Sequence, residues 1–216
     1  MRLVAHRLPT SAAAAQALAD AGANMFELDL QLWRERLVVS HYLAVMWPIP
    51  RWRRDGLRFS WARELRGEPF GVAVQTVPDG AGLVLDLKND SGREAWLLAE
   101  RVVTQDTDRA RCVVASKHWA SLDYLADRGF ATWRSVATRR RLARLLAAGP
   151  DPRHAGVSVR HTFLTPATLE RLRPFGEVIA WTVPTPSRAR QLTRMGVGGI
   201  VADMPEVLAA AAGDDA

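Results

Sequence analysis

Short apolar stretches alternate with longer amphipathic stretches along most of the chain. Stretches typical of strands lie at 2–6, 23–31, 36–41, 82–88, 111–116, 130–136, 155–160, 178–183 and 198–203. Stretches with helical spacing lie between them at 11–22, 91–105, 121–129, 138–149, 165–176 and 186–196. Repeated strand–helix units in one chain indicate a parallel sheet.

The number of these units predicts a closed barrel. About eight strand–helix units in a chain of this length fit a small (β/α)8 TIM barrel. An open, doubly wound sheet is the alternative architecture. No glycine-rich phosphate loop follows the first strand, which weakens a dinucleotide-binding version of that alternative.

Local signals support several helix ends. Gly22 and Gly129 stand where the helices at 11–22 and 121–129 are predicted to stop. Thr165 is a good N-cap for the helix at 165–176, with Pro166 in its first turn.

Residues 42–80 lack this periodicity. They contain tryptophans at 47, 52 and 61 among arginines at 51, 53, 54 and 58. We interpret the segment as a short insertion after the third strand that forms a lid over the barrel mouth. Contact with lipid headgroups is the second interpretation, because tryptophan favours membrane interfaces. With no linker rich in glycine and serine, residues 1–216 are predicted to form a single domain.

Composition narrows the class of protein. The chain has 216 residues, of which 48% are hydrophobic, enough for a sizeable core. No apolar run reaches 18 residues, the N-terminus does not resemble a signal peptide, and Cys112 is the single cysteine. These observations favour the cytoplasm. The oligomeric state does not follow from the sequence.

The basic residues are almost all arginine. The net charge is +6, and Lys88 and Lys117 are the only lysines. The arginines at 139, 140, 141 and 144 fit a solvated helix face better than a nucleic-acid patch, so no nucleic-acid partner is expected. Positive charge does raise the local concentration of anionic substrates.

Polar side chains gather at predicted strand ends, where barrel enzymes carry their chemistry. Glu27 and Asp29 share one face of their strand because they are two positions apart, and Asp86 and Lys88 do the same on theirs. Further strands end in reactive residues, namely His6 with Arg7, Ser40 with His41, Trp181 with Thr182, and Asp203.

Carboxylates that meet in one barrel mouth need a compensating charge. Burying Glu27, Asp29 and Asp86 together without one would be costly. Three oxygen ligands suit a hard divalent cation such as Mg²⁺ or Ca²⁺. The alternative interpretation is that the acids at 27 and 29 form ion pairs, and that Asp86 forms a salt bridge with Lys88. Lysine at 88, in a chain whose basic residues are almost all arginine, indicates that a compact ammonium is needed there.

The sequence resembles the glycerophosphodiester phosphodiesterases over nearly its whole length. The resemblance rests on the segments VAHR (4–7), GANMFELDL (22–30), LVVSH (37–41), LVLDLK (83–88) and IAWTV to VADMP (179–205). It implies a (β/α)8 barrel with an insertion after the third strand. It also implies hydrolysis of glycerophosphodiesters or related lysophospholipids, with release of an alcohol.

The resemblance assigns a role to each of these residues. His6 and His41 would be the acid–base pair. A divalent metal would be held by Glu27, Asp29 and Asp86. Arg7 and Lys88 would bind the phosphate, and Trp181 would line the pocket.

Several positions differ from the family pattern. Leu8 replaces a glycine, Tyr42 replaces an aspartate, Pro184 replaces an asparagine, and the Glu-Asn-Thr segment after the first strand is missing. Asp86 stands where the phosphodiesterases have glutamate. The related phospholipase D toxins have aspartate at this position, as this chain does. The sequence thus leaves two alternatives, a phospholipase D-type lyase that forms a cyclic phosphate and a non-catalytic barrel that binds a phosphorylated ligand.

Overall fold

Eight parallel strands form a closed barrel, which confirms the predicted fold class. The structure, a computed structural model, describes residues 1–33, 35–41, 51–53, 56–58, 67–88, 92–105 and 108–213. The barrel order is β1, β2, β7, β8, β9, β10, β11, β12, and pairing of β12 and β2 with β1 closes it. The strands are β1 (Arg2–Ala5), β2 (Met25–Trp33), β3 (Arg36–Val39), β4 (Arg51–Arg53), β5 (Gly56–Arg58), β6 (Glu68–Pro69), β7 (Gly82–Leu87), β8 (Cys112–Ser116), β9 (Ala131–Val136), β10 (Gly156–Arg160), β11 (Glu177–Trp181) and β12 (Gly199–Ala202).

Helices follow most of the barrel strands and cover the outside of the barrel. They are α1 (Ala12–Asp20), α2 (Phe70–Ala73), α3 (Gly92–Val103), α4 (Trp119–Ala126), α5 (Arg139–Ala148), α6 (Pro166–Leu172), α7 (Pro186–Arg194) and α8 (Pro205–Ala212). The hydroxyl of Thr165 caps α6 as predicted, by accepting a hydrogen bond from the backbone N–H of Thr168. No helix of the described ranges is long and apolar enough to cross a membrane.

The third strand of the chain is not a barrel strand. The prediction treated 36–41 like the other strands, but β3 runs antiparallel to β2. β2 ends at Trp33 and β3 begins at Arg36, with Glu35 in the left-handed region at φ 64°. So short a connection allows only a hairpin, because a parallel crossover needs about a dozen residues.

The insertion at 42–80 is described only in part. β6 adds to β3, and Phe70 of α2 is buried in the layer between the barrel and its helices. β4 and β5 form a separate antiparallel pair. Residues 42–50, 54–55 and 59–66 of the predicted lid, which include Tyr42 and the tryptophans at 47 and 61, lie outside the described residues.

The core has an inner and an outer part. Alternate residues of the strands point into the barrel and fill it, namely Val4, Met25, Val84, Val113, Ala115, Trp133, Ile179 and Val201. The intervening residues, such as Phe26 and Leu28, pack outward against the helices. This alternation decides which polar residues continue the inward series at the carboxyl ends of the strands.

Candidate active site

The two acids of β2 point into the barrel mouth. Glu27 and Asp29 follow Met25 at intervals of two, so they continue its inward-facing series. Both are buried, with 6% and 3% of their surface exposed. Asp29 lies in register with Asp86 of β7, which brings an acid of the neighbouring strand alongside.

The three carboxylates converge on one point. One oxygen from each of Glu27, Asp29 and Asp86 lies within 4.8 Å of the others. The ammonium of Lys88 enters the same space. Its Nζ is 2.5 Å from Oδ1 of Asp29 and 3.6 Å from Oε1 of Glu27, and it donates a hydrogen bond to Asp86. One ammonium therefore faces three carboxylates.

The three acids differ in the direction in which their pKa is shifted. Burial raises the pKa of Glu27 well above its usual value, and the charge of Asp29 adds to the rise. Burial also raises the pKa of Asp86. Burial would raise the pKa of Asp29 too, but the hydrogen bond to His41 and the charge of Lys88 hold that pKa below its usual value. Lys88 is held charged, because the three acids outweigh the lowering of its pKa by burial.

The geometry fits a hard divalent cation. Oδ1 of Asp29 is buried and accepts no hydrogen bond from any described residue, since Lys88 approaches it as an ion pair without hydrogen-bond geometry. Carboxylate oxygens that converge from two adjacent strands are the donors that Mg²⁺ and Ca²⁺ prefer. A divalent cation would also offset the charge that Lys88 leaves uncompensated.

A carboxylate orients His6. Its Nδ1 lies 2.6 Å from Oδ1 of Asp203, the residue that follows β12. Its Nε2 faces Oε2 of Glu27 at 3.6 Å. When Nδ1 carries the hydrogen and donates it to Asp203, Nε2 presents a lone pair to the mouth.

A second carboxylate orients His41 in the same way. Nδ1 of His41 is hydrogen-bonded to Oδ2 of Asp29. Nε2 of His41 accepts a hydrogen bond of 2.7 Å from Nη2 of Arg7. Because a guanidinium can only donate, Nε2 carries the lone pair and Nδ1 the hydrogen. Each acid of β2 thus has one imidazole beside it.

Arg7 joins the site through its backbone as well as its side chain. Its φ of 62° lies in the left-handed region, which is uncommon for a residue other than glycine. In that conformation its backbone N–H donates to Oε2 of Glu27 at 2.9 Å. The guanidinium lies 3.9 Å from Asp29 and is about half exposed, so it remains accessible to an anion in the mouth.

Trp181 lies at the same end of the barrel. It ends β11 two residues after the inward-facing Ile179, and its indole packs against the barrel interior. Its Nε1 is buried without a hydrogen-bond partner among the described residues. It makes no ion-pair or hydrogen-bond contact with the acidic cluster.

The eight residues to which the resemblance assigned a role lie at one end of the barrel, and all of them except Trp181 are connected in one cluster by hydrogen bonds or ion pairs. Asp203 belongs to that cluster but received no role from the sequence, although it ends the predicted strand at 198–203 and lies in the VADMP segment of the resemblance. His118 and His154 serve the scaffold, because His118 caps α4 and His154 bonds Thr132 and Asp123.

Comparison with known proteins supports the architecture. No family model matches the chain, and no curated protein matches it. Solved structures of glycerophosphodiester phosphodiesterases do match over most of its length. The enzyme from Thermotoga maritima shares 21% identity at a TM-score of 0.69, covering 95% of each chain.

Two further structures agree. A phosphodiesterase from Oleispira antarctica, solved in complex with the product sn-glycerol-3-phosphate, has a TM-score of 0.71 and 18% identity, covering 99% of this chain and 97% of its own. A glycerophosphodiester phosphodiesterase from Parabacteroides distasonis has a TM-score of 0.66 and 17% identity, covering 96% and 94%. These likenesses establish a shared fold and confirm at that level the resemblance found in the sequence.

Proposed function

We propose that this protein is a metal-dependent phosphodiesterase that cleaves glycerophosphodiesters or related lysophospholipids and releases an alcohol. One observation carries the proposal, which is the convergence of Glu27, Asp29, Asp86 and Lys88 between two histidines that are each oriented by a carboxylate. Phosphodiester cleavage needs these elements, namely cations for the phosphate oxygens and two groups that exchange protons.

The phosphate would lie between the two imidazoles. Lys88 and Arg7 would bind the non-bridging oxygens, the first as a compact charge and the second through its planar fork of donors. Binding requires Arg7 to turn from Nε2 of His41 toward the anion, which frees that nitrogen. Trp181 would supply an apolar wall for the substrate.

The two Nε2 atoms would exchange protons with the substrate. One imidazole takes the proton of the attacking hydroxyl, and the other gives a proton to the leaving alcohol. Asp203 and Asp29 hold the two rings through Nδ1 and stabilise the charge that develops on whichever imidazole accepts the proton. When bound at Glu27, Asp29 and Asp86, Mg²⁺ or Ca²⁺ would stabilise the negative charge of the phosphoryl oxygens.

Turnover of defined substrates tests the proposal. Purified protein is assayed with glycerophosphocholine, glycerophosphoethanolamine, glycerophosphoinositol and lysophosphatidylcholine, with Mg²⁺, with Ca²⁺ and with a chelator. We expect metal-dependent release of the alcohol. We also expect His6→Ala and His41→Ala each to reduce kcat by about 10² to 10⁴-fold. Phosphorus NMR of the products separates a cyclic phosphate from a hydrolysed one.

Two outcomes would overturn this assignment. Full activity in both histidine variants would remove the acid–base pair. Metal binding without turnover of any substrate would favour the non-catalytic barrel. His118→Ala serves as a matched control, because His118 caps α4 and makes no hydrogen bond or ion pair to the acidic cluster. The lid, membrane contact and a cytoplasmic location stay predictions.

A further inference from the structure

Acidic and basic side chains lie on different sides of the barrel mouth. The segments that follow β8, β9, β10 and β11, at 117–118, 137–138, 161–165 and 182–185, contain no aspartate or glutamate. Cationic side chains lie in or beside them, and we name five of these the basic rim: Lys117, Arg139, Arg141, Arg160 and Arg188. The acidic cluster and Asp203 belong to β2, β7 and the segment after β12, which form the rest of the mouth together with β1 and the segment that follows it.

Neutral groups hold three of the rim arginines in place. Arg141 donates to the carbonyl oxygen of Lys117. Arg188 donates to the carbonyl oxygens of His161 and Leu164, at 2.6 and 2.9 Å. The guanidinium of Arg139 lies 5.6 Å from the ring centre of Phe163.

Carbonyls and rings fix a guanidinium without neutralising it. Within the described ranges, Arg139, Arg141 and Arg188 form no ion pair with a carboxylate. Their charges and that of Arg160 lie in or beside the segments that follow four adjacent strands, β8 to β11, on one side of the mouth. Such an arrangement is unfavourable in isolation and favourable beside an anion.

The rim is continuous with the proposed phosphate site. Leu87 of β7 lies in register with Ser116 of β8, and Lys88 and Lys117 directly follow these two residues. The charge of Lys117 reaches Asp86, so the two lysines act on the same region. They are also the only lysines among the 29 basic residues of the chain.

Arg160 extends the rim to the far side of the barrel. Val157 and Val159 pack outward against the helices, which leaves Ser158 and Arg160 on the inner face of β10. Arg160 is the last residue of that strand and is exposed. β10 is three strands away from β7, which carries Asp86 and leads to Lys88, so a charge at Arg160 would meet a part of the substrate other than the phosphate bound at Lys88.

We propose that the basic rim binds a second anionic group, a phosphate or a carboxylate, on the alcohol portion of the phosphodiester. This inference rests on the proposed function and narrows its substrate class. Lys117, Arg141 and Arg188 are only partly exposed, which suits a small ligand inside the mouth better than a flat membrane surface.

The test compares two substrates that differ by one phosphate group, glycerophosphoinositol and glycerophosphoinositol 4-phosphate. We expect wild-type protein to have the higher kcat/KM for the phosphorylated substrate at low ionic strength, and added salt to weaken this preference. Arg160→Gln and Arg139→Gln should each lower the ratio of the two kcat/KM values by about 3- to 10-fold, mainly through KM.

Arg194→Gln is the matched control. Arg194 is exposed at the C-terminal end of α7, away from Arg188 in the first turn, and its substitution changes the net charge by the same amount. It should leave the ratio unchanged. Equal values of kcat/KM for the two substrates in wild-type protein would overturn the inference. So would an equal loss on both substrates in Arg160→Gln. Variants that lose only binding to phosphatidylglycerol vesicles would overturn it too and would assign the rim to a membrane.

Failure of the proposed function gives a different result. Wild-type protein would then hydrolyse neither substrate, and calorimetric binding of the same pair would decide the inference. Tighter binding of the phosphorylated compound that is lost in Arg160→Gln supports the rim, and equal affinities overturn it.

Discussion

His6 and Asp203 lie at opposite ends of the chain, and their side chains meet at 2.6 Å between Nδ1 and Oδ1. β1 and β12 pair in parallel, from Arg2 with Gly199 to Ala5 with Ala202, so the residues that follow both strands emerge side by side. Closure of the barrel therefore completes the site, since it supplies the carboxylate that orients the first imidazole.

Asp203→Asn tests that orienting role. We expect kcat to fall by about 10- to 100-fold, because the amide no longer stabilises a positive imidazole or selects its tautomer. Binding of sn-glycerol 3-phosphate, measured by calorimetry, should stay near wild type because Asp203 does not touch the phosphate site. Asp20→Asn on the exposed end of α1 is the control. Wild-type kcat in the Asp203 variant would show that His6 needs no partner.

Metal binding should be visible in thermal stability. At a hundredfold excess over Kd a ligand adds about 2.7 kcal/mol, which for a domain of this size raises Tm by about 5–10 °C. Glu27→Gln should lose most of this rise with Mg²⁺ or Ca²⁺. Without metal it should be at least as stable as wild type, because burial and Asp29 disfavour the ionised Glu27. An undiminished metal response in this variant would remove Glu27 from the ligand set.

Lys88→Met removes the ammonium that contacts all three acids. Breaking a buried ion pair leaves uncompensated charge, so we expect a loss of about 3 kcal/mol or more in chelator, measured by urea unfolding. Mg²⁺ should restore part of this loss, since it supplies positive charge at the same place. Arg190→Met removes a surface charge from α7 and should change little. Equal stability of Lys88→Met and wild type in chelator would contradict the charge balance described for the site.

Most of the barrel could be predicted because its strands and helices differ in apolar period. The strand at β3 was predicted but its antiparallel direction was not, because the apolar residues Leu37, Val38 and Val39 are typical of a strand of either direction, and only the end of β2 at Trp33 reveals the hairpin. The acidic cluster could be predicted because the spacing of Glu27 and Asp29 places both on one strand face.

Other contacts depend on tertiary packing and could not be read in advance. The partner of His6 directly follows the last strand, and Arg141 donates to a carbonyl 24 positions away. A basic helix face at 139–144 looks solvated from its sequence. Only the folded barrel shows that the first turn of α5 lies at the mouth.

A second charged network holds the outside of the barrel. Arg134 of β9 is 9% exposed, and Nη2 donates to Asp123 of α4 and Asp151 of the segment before β10, at 3.0 and 3.2 Å. Nε2 of His154 lies 3.0 Å from the same oxygen of Asp123, and Arg153 donates to Asp151. This network connects α4, β9 and the segment before β10. All three follow the acidic cluster in the sequence.

The stability of this network should depend on pH through His154. Burial lowers the pKa of His154 below its ordinary 6.5, and the charge of Arg134 adds to the effect despite Asp151 and Asp123. Below about pH 6.5 the unfolded chain therefore binds a proton that the folded protein does not, and the free energy of unfolding falls until the folded-state pKa is reached. Asp151, whose pKa is lowered by hydrogen bonds from Arg153, adds a loss of the same sign only below about pH 4.

His154→Gln should cost about 1–3 kcal/mol at pH 7.5, because the hydrogen bonds to Thr132 and Asp123 are disturbed. The decisive measurement is urea unfolding at pH 7.5, 6.5 and 5.5. Wild-type protein should lose stability across this range, and the variant should lose less, because glutamine cannot take up the proton in either state. His118→Gln keeps His154 and should follow the wild-type slope. If the stability of His154→Gln falls as steeply as that of wild type, the acid sensitivity arises elsewhere and folding does not lower the pKa of His154.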